Sequence, residues 1–254
     1  MIKMINRMER NMGYEKALNI IENVNKAVKG KSVVVSKVLM AILAKGHILM
    51  EDIPGVGKTT LALAFAKSMD LSQNRMQFTT DVLPSDVVGY SMYNSKTGEF
   101  EYKQGAVMCN LFLADEINRT SSKTQSALLE AMEEKKVTVD GVAHKLPEPF
   151  MVIATENEFG YVGTYPLPEA QLDRFLIKLS VGYPTAEDEA MILYRRKNGD
   201  PIETVEPVCS ADDITRCISA VRDTHIDAAI YKYIVDIVSA TRNHPFVALG
   251  ASPR

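Results

Sequence analysis

The chain has no tryptophan, three cysteines and four histidines in 254 residues. Cys109, Cys209 and Cys217 are odd in number and show no Cys-x-x-Cys spacing. They supply neither a disulfide framework nor a metal quartet, and they suit a reducing compartment, so a cytoplasmic location is expected. His47, His144, His225 and His244 show no ligand spacing and read as surface or satisfied residues. Neither sign of charge dominates: 29 Lys and Arg against 32 Asp and Glu leave a formal net charge of −3. That excludes a global basic signature and argues against nucleic acid as a partner. A long apolar run is also missing. The most apolar region, Val33 to Met50, is broken by Lys37, Lys45, Gly46 and His47, so it reads as a helix followed by a strand and not as a membrane span. The basic start, Met1 to Arg10, leads into no apolar stretch and is not a secretory signal. A chain of this length can bury a large core in one domain or two.

What is present is concentrated in His47-Ile-Leu-Met-Glu-Asp-Ile-Pro-Gly-Val-Gly-Lys-Thr-Thr60. Ile48, Leu49 and Met50 form the apolar run of a buried strand. A Pro and two Gly follow, and Lys58 opens a segment with Leu61/Phe65 and Ala62/Ala66 at helical spacing. Strand, tight Gly loop, Lys-Thr and helix is the P-loop layout. The chemistry needs these residue types. Glycine lets successive backbone N–H groups of Pro54-Gly55-Val56-Gly57 curl around one anion. The helix start at Thr59 and Thr60 adds partial positive charge. Lys58 is expected to reach the β- and γ-phosphates, and the Thr59 hydroxyl to ligate Mg²⁺. Asp52 stands where the usual pattern opens with glycine.

Helical periodicity predicts helices over 14–29 and 32–45 before this strand. After the P-loop helix, 75–79 reads as a strand, 83–89 as a short helix, and 90–105 as a β-hairpin around Asn94 to Gly98. Asn110 to Ala114 is a second buried strand, and it ends in Asp115-Glu116. An apolar strand ending in Asp-Glu is the Walker B pattern. Asp115 can hold Mg²⁺ directly or through water, and Glu116 is placed to orient and deprotonate an attacking water. A helix over 122–135 and a small hairpin over 137–144 follow. Phe150 to Ala154 is another core strand, ending in Thr155-Glu156-Asn157, where the Asn157 amide can bind a γ-phosphate and water. A Pro-framed short helix over 166–175 leads to a last strand, 175–179. Gly182-Tyr-Pro184 breaks the pattern, and 185–197, 210–222 and 226–242 read as helices. The layout is an α/β nucleotide domain over 1–183 followed by a small all-helical domain over 184–254. The turn signal at Gly250-Ala-Ser-Pro-Arg254 opens onto nothing, which suggests that the helical domain is incomplete here.

These residues resemble the MoxR family of AAA+ ATPases. The resemblance runs from about residue 20 to Arg254. Its most selective parts are Gln77-Phe-Thr-Thr-Asp-Val-Leu-Pro-Ser-Asp86, Leu113-Ala-Asp-Glu-Ile-Asn-Arg119, Thr124-Gln-Ser-Ala-Leu-Leu-Glu-Ala-Met-Glu133, Tyr165-Pro-Leu-Pro-Glu-Ala-Gln-Leu-Asp-Arg-Phe175 and Gly250 to Arg254. The resemblance implies a three-layer P-loop NTPase domain with a five-stranded parallel sheet, a helical lid, and ATP with Mg²⁺ between them. It implies that the hairpins near 90–105 and 137–146 are the helix-2 insert and the hairpin before sensor 1. Asn157 then matches sensor 1, Arg174 the arginine finger that reaches a neighbouring subunit's ATP, and Arg254 sensor 2, expected to touch the γ-phosphate of its own chain. Arg119 ranks below Arg174 as the finger. The chain departs from the family at Thr155-Glu-Asn-Glu158, where the pattern is closer to Thr-Gln-Asn-Pro. The added charge of Glu156 is expected to retune hydrolysis.

The function so implied is an ATP-hydrolysing, ring-forming chaperone, most simply a hexamer, that remodels or activates other proteins. Clients of such proteins often carry a von Willebrand factor A domain or a metal cofactor. A magnesium-chelatase-type motor, a helicase relative and a slow ATP-dependent oligomeric switch are the alternatives. The charge balance weakens the helicase version, and the combination of Glu116, Asn157 and Arg174 weakens the switch.

Overall fold

In chain order, α1 (Ile2–Ala27) and α2 (Ser32–Leu43) precede β1 (His47–Glu51) and α3 (Lys58–Ser68). Next come β2 (Gln73–Gln77), a short α4 (Pro84–Val88) and the hairpin β3 (Gly89–Asn94) and β4 (Glu99–Gln104). Then follow β5 (Leu111–Asp115), α5 (Ser122–Glu134), the hairpin β6 (Lys136–Val139) and β7 (Val142–Lys145), β8 (Met151–Glu156), α6 (Glu169–Leu172) and β9 (Phe175–Leu179). The chain continues through α7 (Ala186–Arg196), α8 (Ala211–Arg222) and α9 (Ala228–Asn243). The computed structural model describes residues 2–51, 55–156, 164–197 and 199–252, with backbone alone at 2–12, 195 and 196.

Five strands form one parallel sheet in the order β2-β5-β8-β1-β9. Both faces of its centre are covered, which is why these strands read as unbroken apolar runs. Alternation within each strand sorts the side chains. Ile48, Met50, Leu111, Leu113, Met151 and Ile153 join the core shared with α1, α2 and α3. Leu49, Phe112, Ala114, Val152 and Ala154 join the core shared with α4 and α5, where Leu128, Leu129 and Met132 face them. Burying each large side chain contributes about 1.5–3 kcal/mol. The result is the expected three-layer α/β arrangement followed by a helical C-terminal region.

Two boundaries differ from the sequence expectation. The first helix begins at Ile2 and not near Tyr14, because Lys, Met, Arg and Glu sustain helix through Gly13 without an apolar stripe to announce it. The strand expected over 75–79 is Gln73–Gln77. It is a polar edge strand whose signal is weak, and the apolar Phe78 lies just past its end, fully buried, donating its N–H to the Asp115 carbonyl at 2.8 Å. The apolar residues of α9 (Ile230, Tyr233, Ile234 and Ile237) are exposed, and this helix buries no residue. Among the described residues no helix is long and apolar enough to cross a membrane.

The hairpins stand outside the sheet and touch each other. The Tyr102 ring of β4 stacks on the His144 ring of β7, with centroids 3.8 Å apart and planes 14° apart. The β3–β4 hairpin leaves the core through a close backbone contact. A Cβ on Gly105 would lie 2.3 Å from the Gly89 nitrogen, so that position admits only glycine.

His47 fastens α5 to the start of the sheet. Its Nδ1 accepts the Val152 N–H at 3.0 Å, and its Nε2–H donates to the Met132 carbonyl at 3.2 Å. The bond from Val152 requires the neutral ring. Burial lowers its pKa from 6.5 to about 4; the bond to Met132 opposes the shift and Lys135 adds to it. Between these two values the unfolded chain takes up a proton that the folded chain refuses, so stability falls as pH drops through that window. The drop is worth about 3 kcal/mol. The variant His47→Gln keeps one acceptor and one donor without titrating. Chemical denaturation of both proteins between pH 7 and 4 should show a smaller loss in the variant; parallel losses would disprove the assignment.

Candidate active site

The P-loop follows the carboxyl end of β1, which lies between β8 and β9 in the sheet. Gly55 and Gly57 hold φ of 87° and 92°, left-handed values that glycine adopts without strain. A Cβ at either would meet nothing within 4 Å, so the concave side of this turn is open. Gly57 caps α3, Lys58 begins it and is 9% exposed, and Thr59 and Thr60 occupy its half-buried first turn. An open backbone cradle at a helix start, with a buried lysine behind it, fits a polyphosphate. Val56 lies in the same turn, whereas Asp52 and Pro54 lie outside the described residues. Beside the cradle is a cleft of about 520 Å³ lined by Val28, Lys31, Gly57, Thr60, Ile192 and Pro201, among others. It lies between the turn after α1, the P-loop and the C-terminal helices. Its apolar walls fit a base. The wall contributed by residues 27–31 was not foreseen from the sequence, because nothing local marks it.

At the carboxyl end of β5 the Asp115 carboxylate is buried and held from both sides. Oδ1 accepts the Thr155 hydroxyl at 2.7 Å, and Oδ2 accepts Arg75 Nη2 at 2.7 Å. Thr155 Oγ1 in turn accepts the Glu116 N–H at 2.8 Å. Glu116 has a φ of 55°, a conformation that costs a non-glycine residue energy and persists where surrounding bonds enforce it. Its carboxylate pairs with Arg119 at 2.8 Å. The structure thus brings Asp115 and Glu116 to the same edge of the sheet as the P-loop. Thr155 and Arg75 are functional candidates that the motifs did not reveal; β8 running parallel beside β5 is the signal that could have found Thr155.

Among the described residues no group of three or more His, Cys, Asp or Glu could hold a metal. The Thr59 hydroxyl and the Asp115 carboxylate are oxygen donors of the kind that fits magnesium, which is commonly held by one or two carboxylates, water and the substrate's phosphates.

Asn157 lies outside the described residues; the strand before it ends at Glu156. Glu156 stands in register with Glu51 on β1, and Lys178 of β9 pairs with Glu51. Burial raises the Glu156 pKa, the Glu51 carboxylate raises it further, and Lys178 opposes both.

Arg174 lies at the other end of the sheet. It precedes Phe175, which pairs with His47 at the amino end of β1, while the P-loop follows Glu51 at the carboxyl end. At about 3.3 Å per residue the strand alone separates the two by about 13 Å. The Arg174 guanidinium points to Glu133 on α5, at 3.1 Å. Arg254 lies outside the described residues, but Ala251 and Ser252 line the same cleft as Arg174. Fully buried Gln125 ties the two regions: its Nε2 donates to the carbonyls of Ile117, Thr120 and Tyr165 at 3.2, 3.4 and 2.8 Å.

A P-loop, an Asp-Glu strand end and a parallel sheet between helical layers define a P-loop nucleoside-triphosphatase. The profile of the ATPase family associated with various cellular activities (AAA) matches residues 47–177. The uncharacterized protein YeaC of Bacillus subtilis is 55% identical over 92% of this chain and 73% of its own length. Chaperone MoxR1 of Mycobacterium tuberculosis is 40% identical over 92% of this chain and 64% of its own. A crystal structure from Cytophaga hutchinsonii superposes with a TM-score of 0.87 at 40% identity, covering 95% of this chain and 73% of that one. The chain belongs to the MoxR family of AAA+ ATPases.

The Glu156 environment gives a direct test of local electrostatics. Its raised pKa means that folding favours the protonated form, so its contribution is fully present below the ordinary value of 4.5 and is lost as pH rises through the folded value. The variant Glu156→Gln should therefore melt higher than the parent at neutral pH, with the gain shrinking towards pH 4.5. A gain that does not change with pH would contradict this account.

Proposed function

We propose that this chain binds ATP with Mg²⁺ at the carboxyl end of its sheet and hydrolyses it to ADP and phosphate within a ring of identical subunits. The observation that carries this is the division of the machinery. The P-loop, Asp115 and Glu116 share one end of the sheet, and Arg174 stands at the other, beyond reach of its own P-loop. Pro54 to Gly57 cradle the phosphates, Lys58 neutralises them, and Thr60 flanks them. Thr59 and Asp115 hold magnesium, which draws charge from the phosphate oxygens when bound. Glu116 takes the proton of the attacking water, and Asn157 orients that water. Arg174 stabilises the charge that spreads over the γ-phosphoryl oxygens of the neighbour's ATP, an effect worth roughly 10³–10⁵ in rate. Arg254, as sensor 2, contacts the γ-phosphate of its own chain's ATP.

A head-to-tail contact of this kind closes into a ring, and we propose a hexamer. The ATPase domain would end near Gly182 to Pro184, with the following helices as a lid. The work done is proposed to be remodelling or activation of a client protein in the cytoplasm, of the kind that carries a von Willebrand factor A domain or a metal cofactor. The printed name of MoxR1, a chaperone, supports the chaperone part of this reading. The Glu116–Arg119 pair favours a second reading, a slow nucleotide switch, because it occupies the proposed base. Single-turnover hydrolysis by Arg119→Ala, faster than the parent, would support that version.

The shared site is tested by mixing. Arg174→Ala keeps an intact P-loop, and Lys58→Ala keeps an intact finger; each alone should be nearly inactive. Mixed, they should regain measurable turnover. Glu116→Gln should retain ATP and stop turnover. Mixtures that stay dead while each variant still assembles, or Glu116→Gln turning over at the parental rate, would defeat the proposal.

A further inference from the structure

We infer that Arg75 is a positioning residue for the magnesium site: from the edge strand β2 it sets the plane of the Asp115 carboxylate. The inference rests on the ATPase reading above and deepens it. Arg75 places two donors on one oxygen, Nη2 at 2.7 Å and Nε at 3.3 Å from Asp115 Oδ2. The other oxygen is taken from the opposite flank by Thr155 at 2.7 Å. Strands β2 and β8 lie on either side of β5, so the carboxylate is pinned from both neighbours and cannot turn about its own axis. The register makes this a deliberate reach. Arg75 stands opposite Leu113, and Gln77 opposite Asp115, so the guanidinium extends two positions along the strand to find the carboxylate.

Stability does not explain the pair. The Arg75 side chain is 49% exposed, and a pair with one partner so open to water contributes little to stability. The Asp115 side chain is 12% exposed, so little water is available to orient it instead. Each carboxylate oxygen carries two lone pairs; Arg75 engages Oδ2 twice and Thr155 engages Oδ1 once, so Oδ1 keeps capacity for a metal or its water. Magnesium demands near-octahedral geometry, so a carboxylate of fixed plane binds it better than one free to rotate. Residues behind metal-ligating carboxylates typically matter by 10–100-fold in metal affinity. A lysine could supply the charge but not the fork.

The test is the metal dependence of nucleotide binding, measured with a fluorescent non-hydrolysable ATP analogue on the full chain. Its Kd is taken in saturating Mg²⁺ and again in EDTA, and the ratio reports how much the metal tightens binding. In Arg75→Ala this ratio should fall about tenfold, with the EDTA value within about twofold of the parent. Arg75→Lys should recover only part of the loss, and Arg75→Gln serves if the alanine variant does not fold. An unchanged ratio overturns the inference, and so does a larger one, which would make Arg75 a competitor of the metal. Equal losses in Mg²⁺ and EDTA would mean damage to the strand and overturn it as well. A parent chain that binds no nucleotide under either condition defeats the ATPase reading itself and is distinguished by that.

Discussion

Burial of the sheet on both faces governs the rest of the structure. Between Leu111 and Ala114, and between Met151 and Ala154, no side chain has room for an unpaired polar group. In these central strands charge can emerge only where they end, because burying it elsewhere costs several kcal/mol unless it is paired. The carboxyl end therefore collects Glu51, Asp115, Glu116 and Glu156, and the amino end collects His47 and Arg174. Five parallel strands make these two ends chemically different surfaces. A parallel sheet thus separates the proposed base and metal ligand from the proposed finger without any special device.

The carboxyl end is crowded with acids, and its stability depends on how each is answered. Asp115 is answered by Arg75 and Thr155, Glu116 by Arg119, and Glu51 by Lys178. Glu156 is the least well served, since Lys178 is already engaged with Glu51 and burial works against its charge. A polyphosphate would bring further negative charge to this end, so the cations there matter in sum and not pair by pair. Lys58, buried at the start of α3, directly follows the turn of the cradle.

Much of this was legible in the residues, for physical reasons. A strand buried on both faces has to be an apolar run, so β1, β5 and β8 announced themselves within a residue or two. Gly55 and Gly57 were legible because a left-handed turn has few alternatives to glycine, and Asp115-Glu116 because acids at the end of an apolar run have few structural reasons to be there. The edge strand β2 was legible only through Phe78, since half of its backbone faces water and no face needs an apolar row. Arg75, Thr155 and Gln125 were not legible at all. Each acts on a residue about 40 positions away, through neighbouring strands or a loop that only the folded chain brings together. Threonine in a buried strand reads as a β-branched packer, and only the sheet order shows its hydroxyl caught between an acid and a strained backbone N–H.

Helix α5 shows how the two ends can be mechanically related. At 1.5 Å per residue its 13 residues span about 20 Å, the depth of the sheet. Its first turn lies beside the strained turn after Glu116, where Gln125 gathers the carbonyls of Ile117, Thr120 and Tyr165. Its last turn offers the Met132 carbonyl to His47 and the Glu133 carboxylate to Arg174. The segment that leads to Arg174 is itself anchored near the first of these points, through the Tyr165 N–H on the Asn118 carbonyl at 2.6 Å. The turn after Asp115 is thus connected to Arg174 both along the helix and along the Pro-rich loop. Coupling between sites needs elements that both sites bias. Here the candidate is specific: the turn from Glu116 to Thr120, whose first residue holds a φ of 55° and which the Thr155 and Gln125 bonds tie to β8 and α5.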